Sequence, residues 1–354
     1  MVSIRPFNEG DNQRMLEIER LCPQGDEKCA MGVDKKDIIA RYGMYDSWNV
    51  LVAEEDGKIA GWTGLTVKIA PEKKEKYAYF TEIMVHPDFR RSGVATKLVK
   101  EAEKKAREMG ADYAYCYIYD SNKASQFLFE KMGYFKMRSI KFPAVSTYKK
   151  LDIPPEYSIK LVDKKEIGDA AGLINEYNSG YIHFIPFTDQ IFESHLEFIP
   201  GYGPENFWEV RDKENKIAAC AGLWDSSELA HLYYAREPTA MKVMKLVFGA
   251  LSHITKVPKF PAEGEHFRIL YVVDYAFDGR QPDAMLALLK HLNNISIDRR
   301  QDFLMAVTDP EDDLLAVVKK LKPQIETWHV FAKSFEGGLP TFSPFYVDIR
   351  DMIP

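Results

Sequence analysis

Residues 79–109 constrain the fold more tightly than any other stretch of the chain. Tyr79-Phe80-Thr81-Glu82-Ile83-Met84-Val85 has the β-branched and aromatic content of a strand. Val94, Leu98, Val99, Ala102, Ala106 and Met109 fall on one face of a helix. Between them, His86-Pro87-Asp88-Phe89-Arg90-Arg91-Ser92-Gly93 must carry the chain from strand to helix through a tight corner. Such a corner presents free backbone N–H groups at a helix N-terminus, where the helix dipole also favours a phosphate or pyrophosphate. Gly93 and Ala95 are small enough for the backbone to approach an anion closely. No Gly-Lys-Ser/Thr follows, and no Gly-x-Gly-x-x-Gly follows the strand, so neither a nucleoside-triphosphate loop nor a dinucleotide fingerprint is present.

At 354 residues, two domains are the expectation. The net charge of −6 argues against a nucleic-acid binder that relies on bulk positive charge, so the basic pair Arg90 and Arg91 suits a small anionic ligand. No apolar run reaches the length of a membrane span, and the first residues lack a signal-peptide core. Four scattered cysteines, Cys22, Cys29, Cys116 and Cys220, are expected to be free thiols, with no metal site. These features together lead us to expect a cytoplasmic protein without membrane or nucleic-acid partners.

The chain also repeats itself. Lys58-Ile-Ala-Gly-Trp-Thr-Gly-Leu65 recurs as Lys216-Ile-Ala-Ala-Cys-Ala-Gly-Leu223, and Ser3-Ile4-Arg5 recurs as Ser158-Ile159-Lys160. A gapless continuation sets Ala95 opposite Ala284, Asp120 opposite Asp309, and Val85 opposite Asp274. Two tandem α/β units follow, 1–150 and 151–354, joined by a linker at Leu151-Asp152-Ile153-Pro154-Pro155. The second carries an extra stretch near 226–262 with a helix over Thr239–Ile254, and Phe345–Ile349 reads as its closing strand. Its anion corner is expected to be lost, because Pro282 has no N–H to donate and Asp274 brings a negative charge.

The run Val85-x-Pro87-x-x-Arg90-x-x-Gly93-x-Ala95 resembles the acyl-CoA loop of the GNAT superfamily of N-acyltransferases. Asn122-Lys123-Ala124, with Gly133 and Tyr134 farther on, resembles that family's second signature, although Ala124 arrives one residue early. The resemblance implies two GNAT-like domains, each a mixed, mostly antiparallel twisted sheet flanked by helices. In the first, acetyl-CoA would lie where two strands splay apart, its pyrophosphate on the N–H groups of Arg91, Ser92, Gly93, Val94, Ala95 and Thr96, beside Arg90. The pantetheine would pair with the backbone of Met84 and Val85, near Asn122 and Phe129. Phe129 stands where the family commonly carries a tyrosine that protonates the departing thiolate, which leaves Tyr119 as a candidate acid.

Glu82, on the strand beside the thioester, is the expected general base: an amine must lose a proton to attack, and a carboxylate shielded at a cleft floor has a raised pKa. The alternating tyrosines Tyr113, Tyr115, Tyr117 and Tyr119 read as one face of a strand packed under a helix. The expected reaction is direct acetyl transfer to a primary amine of a small molecule. A protein N-terminus or lysine acceptor, and a non-catalytic acyl-CoA sensor or scaffold, stay open as alternatives. Neither the oligomeric state nor the acceptor follows from the sequence.

Overall fold

The computed structural model describes residues 2–70 and 75–352. The first half runs β1 (Ser3–Pro6), α1 (Asn12–Arg20), β2 (Gln24–Gly25), β3 (Ala30–Lys35), β4 (Trp48–Glu55), β5 (Lys58–Ala70), β6 (Glu75–Val85), α2 (Val94–Glu108), β7 (Tyr113–Tyr119), α3 (Lys123–Lys131) and β8 (Phe135–Ser146). The second runs β9 (Ser158–Leu161), α4 (Ile167–Tyr177), α5 (Asp189–Phe198), β10 (Phe207–Arg211), β11 (Ile217–Trp224), β12 (Ala230–Arg236), α6 (Thr239–Leu251), β13 (Ile269–Phe277), α7 (Pro282–Asp298), β14 (Phe303–Ala306), α8 (Asp313–Lys319) and β15 (Gln324–Ser334). Apart from β2, β3, α5, β12 and α6, the two lists correspond element by element.

Twelve strands form one sheet in the order β1-β4-β5-β6-β7-β15-β8-β14-β13-β11-β10-β9. That order is a palindrome once each element is matched to its counterpart, so the halves are related by a pseudo-two-fold axis between β15 and β8. Each half lends its last strand to the other. β15 pairs with β7 from Trp328↔Tyr119 to Ser334↔Tyr113, while β8 pairs with β14 through Phe303↔Ser146, Leu304↔Val145 and Met305↔Ala144. The sheet is antiparallel except at β6–β7 and β13–β14, which are parallel. A small second sheet, β12-β3-β2, joins the halves again.

Amphipathic helices cover the sheet. Val94, Leu98, Val99, Ala102 and Ala106 bury one face of α2 against Leu65, Ala78, Phe80, Ala114 and Cys116. On the opposite face of β7, Tyr113 and Tyr115 pack with Tyr77 and Tyr79, and their cover is not the expected helix. His183 stacks on Tyr77 at 4.0 Å, and the C-terminal segment adds Phe342 and Phe345. Phe345–Ile349 is likewise not a closing strand; β15 fills that place, and Ile182↔Phe345 makes only an isolated bridge. The expected helix is present as α6, and all four cysteines are free.

The repeat is not gapless. At the β5–β6 bulge, Thr63 faces Ile83 and Leu65 faces Phe80, so Gly64 opposes both Thr81 and Glu82. The β11–β13 bulge sets Cys220 opposite Ala276 and Gly222 opposite Val273. Asp274 therefore corresponds to Glu82, not to Val85. The slack lies in the corner that follows, 86–93 in the first half but only 278–281 in the second. The second half lacks half of the turn from strand to helix.

Candidate active site

The parallel pairing of β6 and β7 stops early. Tyr77↔Tyr113, Ala78↔Ala114 and Tyr79↔Tyr115 are its registered pairs. Beyond them Phe80–Val85 and Cys116–Tyr119 diverge, although β5 still holds the far edge of β6 as far as Gly61↔Val85 and β15 holds that of β7. The facing inner edges form a slot whose peptide groups have no partner strand. Such an edge accepts an extended amide-bearing chain by strand addition. The bulge adds local twist at the mouth of the slot, and a Cβ at Gly64 would collide with the Tyr42 ring and hydroxyl.

The slot runs toward the corner. Arg90, Arg91, Ser92 and Gly93 are exposed and Val94 is buried. Arg91 at φ 64° and Gly93 at φ 87° turn the backbone through the left-handed region. The first helical bond is Lys97 N–H to the Gly93 carbonyl (3.0 Å). Among the described residues, no protein acceptor is recorded for the N–H groups of Arg91 through Thr96, as expected for a helix start without a side-chain cap. The loop is braced from behind: the Cys22 thiol donates to the Val85 carbonyl (3.2 Å), and Arg90 donates through Nε to that carbonyl (3.3 Å) and through Nη2 to Cys22 Sγ (3.4 Å). Ser92 Oγ donates to the Phe89 carbonyl (2.6 Å). The result is a preformed, solvent-facing row of donors beside two guanidinium groups, the arrangement that holds a diphosphate.

Glu82 and Met84 lie on the sheet face away from α2. Met84 is packed with Trp62 and Tyr42, while Ile83 and Val85 pack on the α2 side. Glu82 is buried in a charge cluster. Its Oε1 accepts from Lys35 Nζ (2.8 Å) and Arg41 Nη1 (2.7 Å), and its Oε2 accepts from Tyr42 OH (3.0 Å). Lys35 also pairs with Glu19 at 2.8 Å. The expectation of a raised pKa at Glu82 is therefore corrected. Burial pushes it up, but the charges of Arg41 and Lys35 overcome that and hold it below the usual carboxylate range. Glu19 moves the other way, raised by burial against a single lysine.

Tyr119, half-buried at the end of β7, donates its hydroxyl to Glu326 of β15 (2.6 Å). Burial first, and then Glu326, raise its pKa, so it stays protonated. Asn122 caps α3 by accepting from Ser125 N–H (3.1 Å). Phe129 does not face the slot: it is 3% exposed, edge-on to Tyr134 at 4.9 Å in the core beneath α2 and α3. Its expected place beside the pantetheine is corrected accordingly. Phe127 points outward instead. The slot and corner thus bring together Met84, Val85 and Arg90 through Thr96, with Tyr119 across the gap. Lys35, Arg41, Tyr42 and Glu326 were not anticipated. Lys35 sits in Asp34-Lys35-Lys36-Asp37, which reads as a solvated surface run, and Glu326 reaches Tyr119 only through strand exchange.

Comparison with known proteins agrees with this geometry. Residues 12–134 match the model of the acetyltransferase (GNAT) family. An acetyltransferase of Photorhabdus laumondii is 28% identical over 133 residues, 38% of this chain and 86% of that protein. An uncharacterized N-acetyltransferase of Bacillus subtilis is 28% identical over 87 residues, 25% of this chain; the chain spans only 53% of that relative's length. Among solved structures, a tandem GNAT protein from the clavulanic acid biosynthesis pathway superposes with a TM-score of 0.59 at 12% identity, over 96% of this chain and 100% of that one. The fold is that of the GNAT proteins, and the family model matches residues 12–134 of the first half.

Proposed function

We propose that the chain is an N-acetyltransferase that binds acetyl-CoA in the β6–β7 slot and passes the acetyl group directly to a primary amine of a small molecule. The observation that supports this most is the slot leading into the row of unbonded N–H groups at Arg91–Thr96. The diphosphate rests on that row, flanked by Arg90 and Arg91, and the pantetheine amides pair along the inner edge of β6 at Met84 and Val85, where the Val85 carbonyl is already held by Cys22 and Arg90. A backbone N–H near Val85 polarises the thioester carbonyl and holds the oxyanion of the tetrahedral intermediate. Asn122 fixes the start of α3 beside the slot.

The amine nitrogen attacks the thioester carbon, and the C–S bond then breaks as the C=O re-forms. Glu82 is too weak a base to deprotonate a free ammonium. The attached nitrogen is far more acidic once it carries the tetrahedral carbon, and an ionised carboxylate can then take its proton, directly or through water. Tyr119, protonated and hydrogen-bonded to Glu326, supplies a proton to the leaving thiolate. On this reading residues 1–150 form the catalytic domain, and 151–354 shape the acceptor side and lend β15 to the active half. Net negative charge suits a cationic acceptor.

One observation favours a second reading. Phe129 is sealed in the core, so the position where the family carries its acid offers no proton; the chain would then be an acyl-CoA-binding sensor or scaffold. Thiol release from acetyl-CoA, measured across small amines, lysine peptides and free N-terminal peptides, separates the two. We expect release with small amines and one acetyl-CoA bound per chain by calorimetry. Binding without release across all three classes selects the sensor, and no binding at all removes both readings.

A further inference from the structure

The segment between β11 and β13 has no counterpart in the first half, where β5 passes to β6 through 71–74. It carries α6, an apolar helix that buries none of its residues. Val243, Leu246, Val247, Ala250 and Ile254 are exposed at the three- and four-residue spacing that makes one stripe. Leu246 is 77% exposed and Ile254 85%. The other side of the helix is tied to the body of the protein. Lys245 Nζ bonds the Pro261 carbonyl and pairs with Glu237, Lys242 pairs with Glu263 at 3.6 Å, and Phe248 stacks on Phe260 at 6.1 Å. The apolar stripe is thus held facing outward.

Its charge is as distinctive as its exposure. From Pro238 to Ala262 there is no acidic residue, whereas Lys242, Lys245, Lys256, Lys259 and His253 all lie there, in a chain of net charge −6. Glu263 and Glu237, just outside that window, offset Lys242 and Lys245, which leaves Lys256, Lys259 and His253 as the exposed basic groups beside the stripe. Beneath the helix runs an open groove walled by Phe248, Val257, Pro258 and Phe260, with Lys259 and His266 at its edge.

We propose that α6 and its lysine rim form a docking surface for an anionic lipid bilayer, on which the stripe lies in the interfacial plane with its lysines among the headgroups. No helix among the described residues is long and apolar enough to cross a membrane, and α6 at about 20 Å is itself too short. A second copy of the chain fits the surface poorly. The stripe offers on the order of half the roughly 800 Å² per partner of a stable interface, and pairing two such surfaces would bring like charges together. A bilayer bearing negative headgroups removes both objections.

Vesicle cosedimentation of the full chain tests this. Binding is expected to phosphatidylcholine vesicles containing phosphatidylglycerol and to be at least about tenfold weaker with phosphatidylcholine alone. Leu246→Glu with Val247→Glu should abolish it, and Ile254→Glu, beyond the helix end, should weaken it without altering thermal unfolding. Lys256→Glu with Lys259→Glu should cost at least about fivefold per residue. The proposal is overturned if anionic vesicles are not bound, if they are bound no better than neutral ones, or if binding survives the glutamates. It also fails if light scattering shows a dimer that Leu246→Glu dissolves while wild-type protein ignores vesicles. None of these readouts depends on acetyl transfer, so the outcome stands apart from that of the thiol-release assay.

Discussion

At the gap between β6 and β7, the N–H groups of Arg91 through Thr96 face solvent beside two arginines. At the matching gap between β13 and β14, the corner is four residues long, 278–281, against eight, 86–93. There α7 begins on Pro282, and Asp274, Asp309 and Asp312 line the cavity. Arg138 from β8 neutralises Asp309, and His195 lies 2.8 Å from Asp274. Asp312 instead accepts from Tyr177, Tyr275 and the Leu314 N–H, and burial raises its pKa. Both gaps keep the parallel pair, the bulge and the covering helix. What differs is the length of the corner and the charges that line the gap. Scaffold and proposed site are therefore separable in this fold: register and packing are held by many residues at once, whereas the proposed anion site rests on one turn that can be shortened without disturbing the sheet.

The sharpest way to break this comparison is to give the first corner the chemistry of the second. Gly93 adopts φ 87°, which a proline ring forbids, and Gly93→Pro also removes an N–H from the row. A Cβ at Gly93 would meet nothing within 4 Å, so the core is left intact. Acetyl-CoA affinity by calorimetry should fall about a hundredfold or more, the equivalent of one or two hydrogen bonds to a charged group, while thermal unfolding stays cooperative and is lowered only by the local backbone strain at the corner. The reverse change, Pro282→Gly, should create no second site, because the missing length of corner is not restored. Stoichiometry of two in either protein would overturn the contrast.

Much of the first gap was legible in the sequence because its parts are local. Strand, corner and helix are contiguous, and Gly93 and Ala95 report a backbone requirement directly. The duplication was legible too, through Lys58–Leu65 and Lys216–Leu223. The four-residue deletion was hidden by aligning without gaps from a helix whose own start had moved. The strand exchange leaves no local trace, since β15 alternates in the same way beside β7 as it would beside β14. The charge state of Glu82 was misread for the same reason. Burial is visible in an alternating strand, but Lys35 and Arg41 reach Glu82 from segments more than forty positions away in sequence.

Removing that carboxylate probes the first gap's chemistry rather than its grip. Glu82→Gln should lower turnover by about a hundredfold and leave the KM for acetyl-CoA nearly unchanged; unchanged turnover would remove Glu82 from the mechanism. Its pH signature is separate. A folded-state pKa below the unfolded value of 4.5 means the stabilising contribution is complete above about pH 4.5 and is lost as pH falls toward the folded value. Melting temperature should therefore show no Glu82 contribution to its pH dependence between pH 6 and 8. The acid-side decline below about pH 4.5 should be shallower in Glu82→Gln. A Glu82-dependent inflection near neutrality would mean that Arg41 and Lys35 do not hold the carboxylate as described.

The smallest expected effect concerns the strand the second half lends to the first. Tyr119 belongs to β7 and Glu326 to β15, and their 2.6 Å bond crosses between the halves. Tyr119→Phe should reduce turnover by only about tenfold, below the usual yield of a general acid, because the CoA thiolate leaves readily near neutral pH. Glu326→Gln tests the other partner. A neutral amide still accepts the tyrosine's hydrogen bond, but it lacks the charge that helps raise the Tyr119 pKa. The alkaline limb of the kcat profile should shift downward in pH, with the acetyl-CoA KM unaltered. A pair serving only to fasten β15 to β7 would instead lower the melting temperature in both variants and leave the kcat profile in place, and the catalytic part of the exchange would be withdrawn.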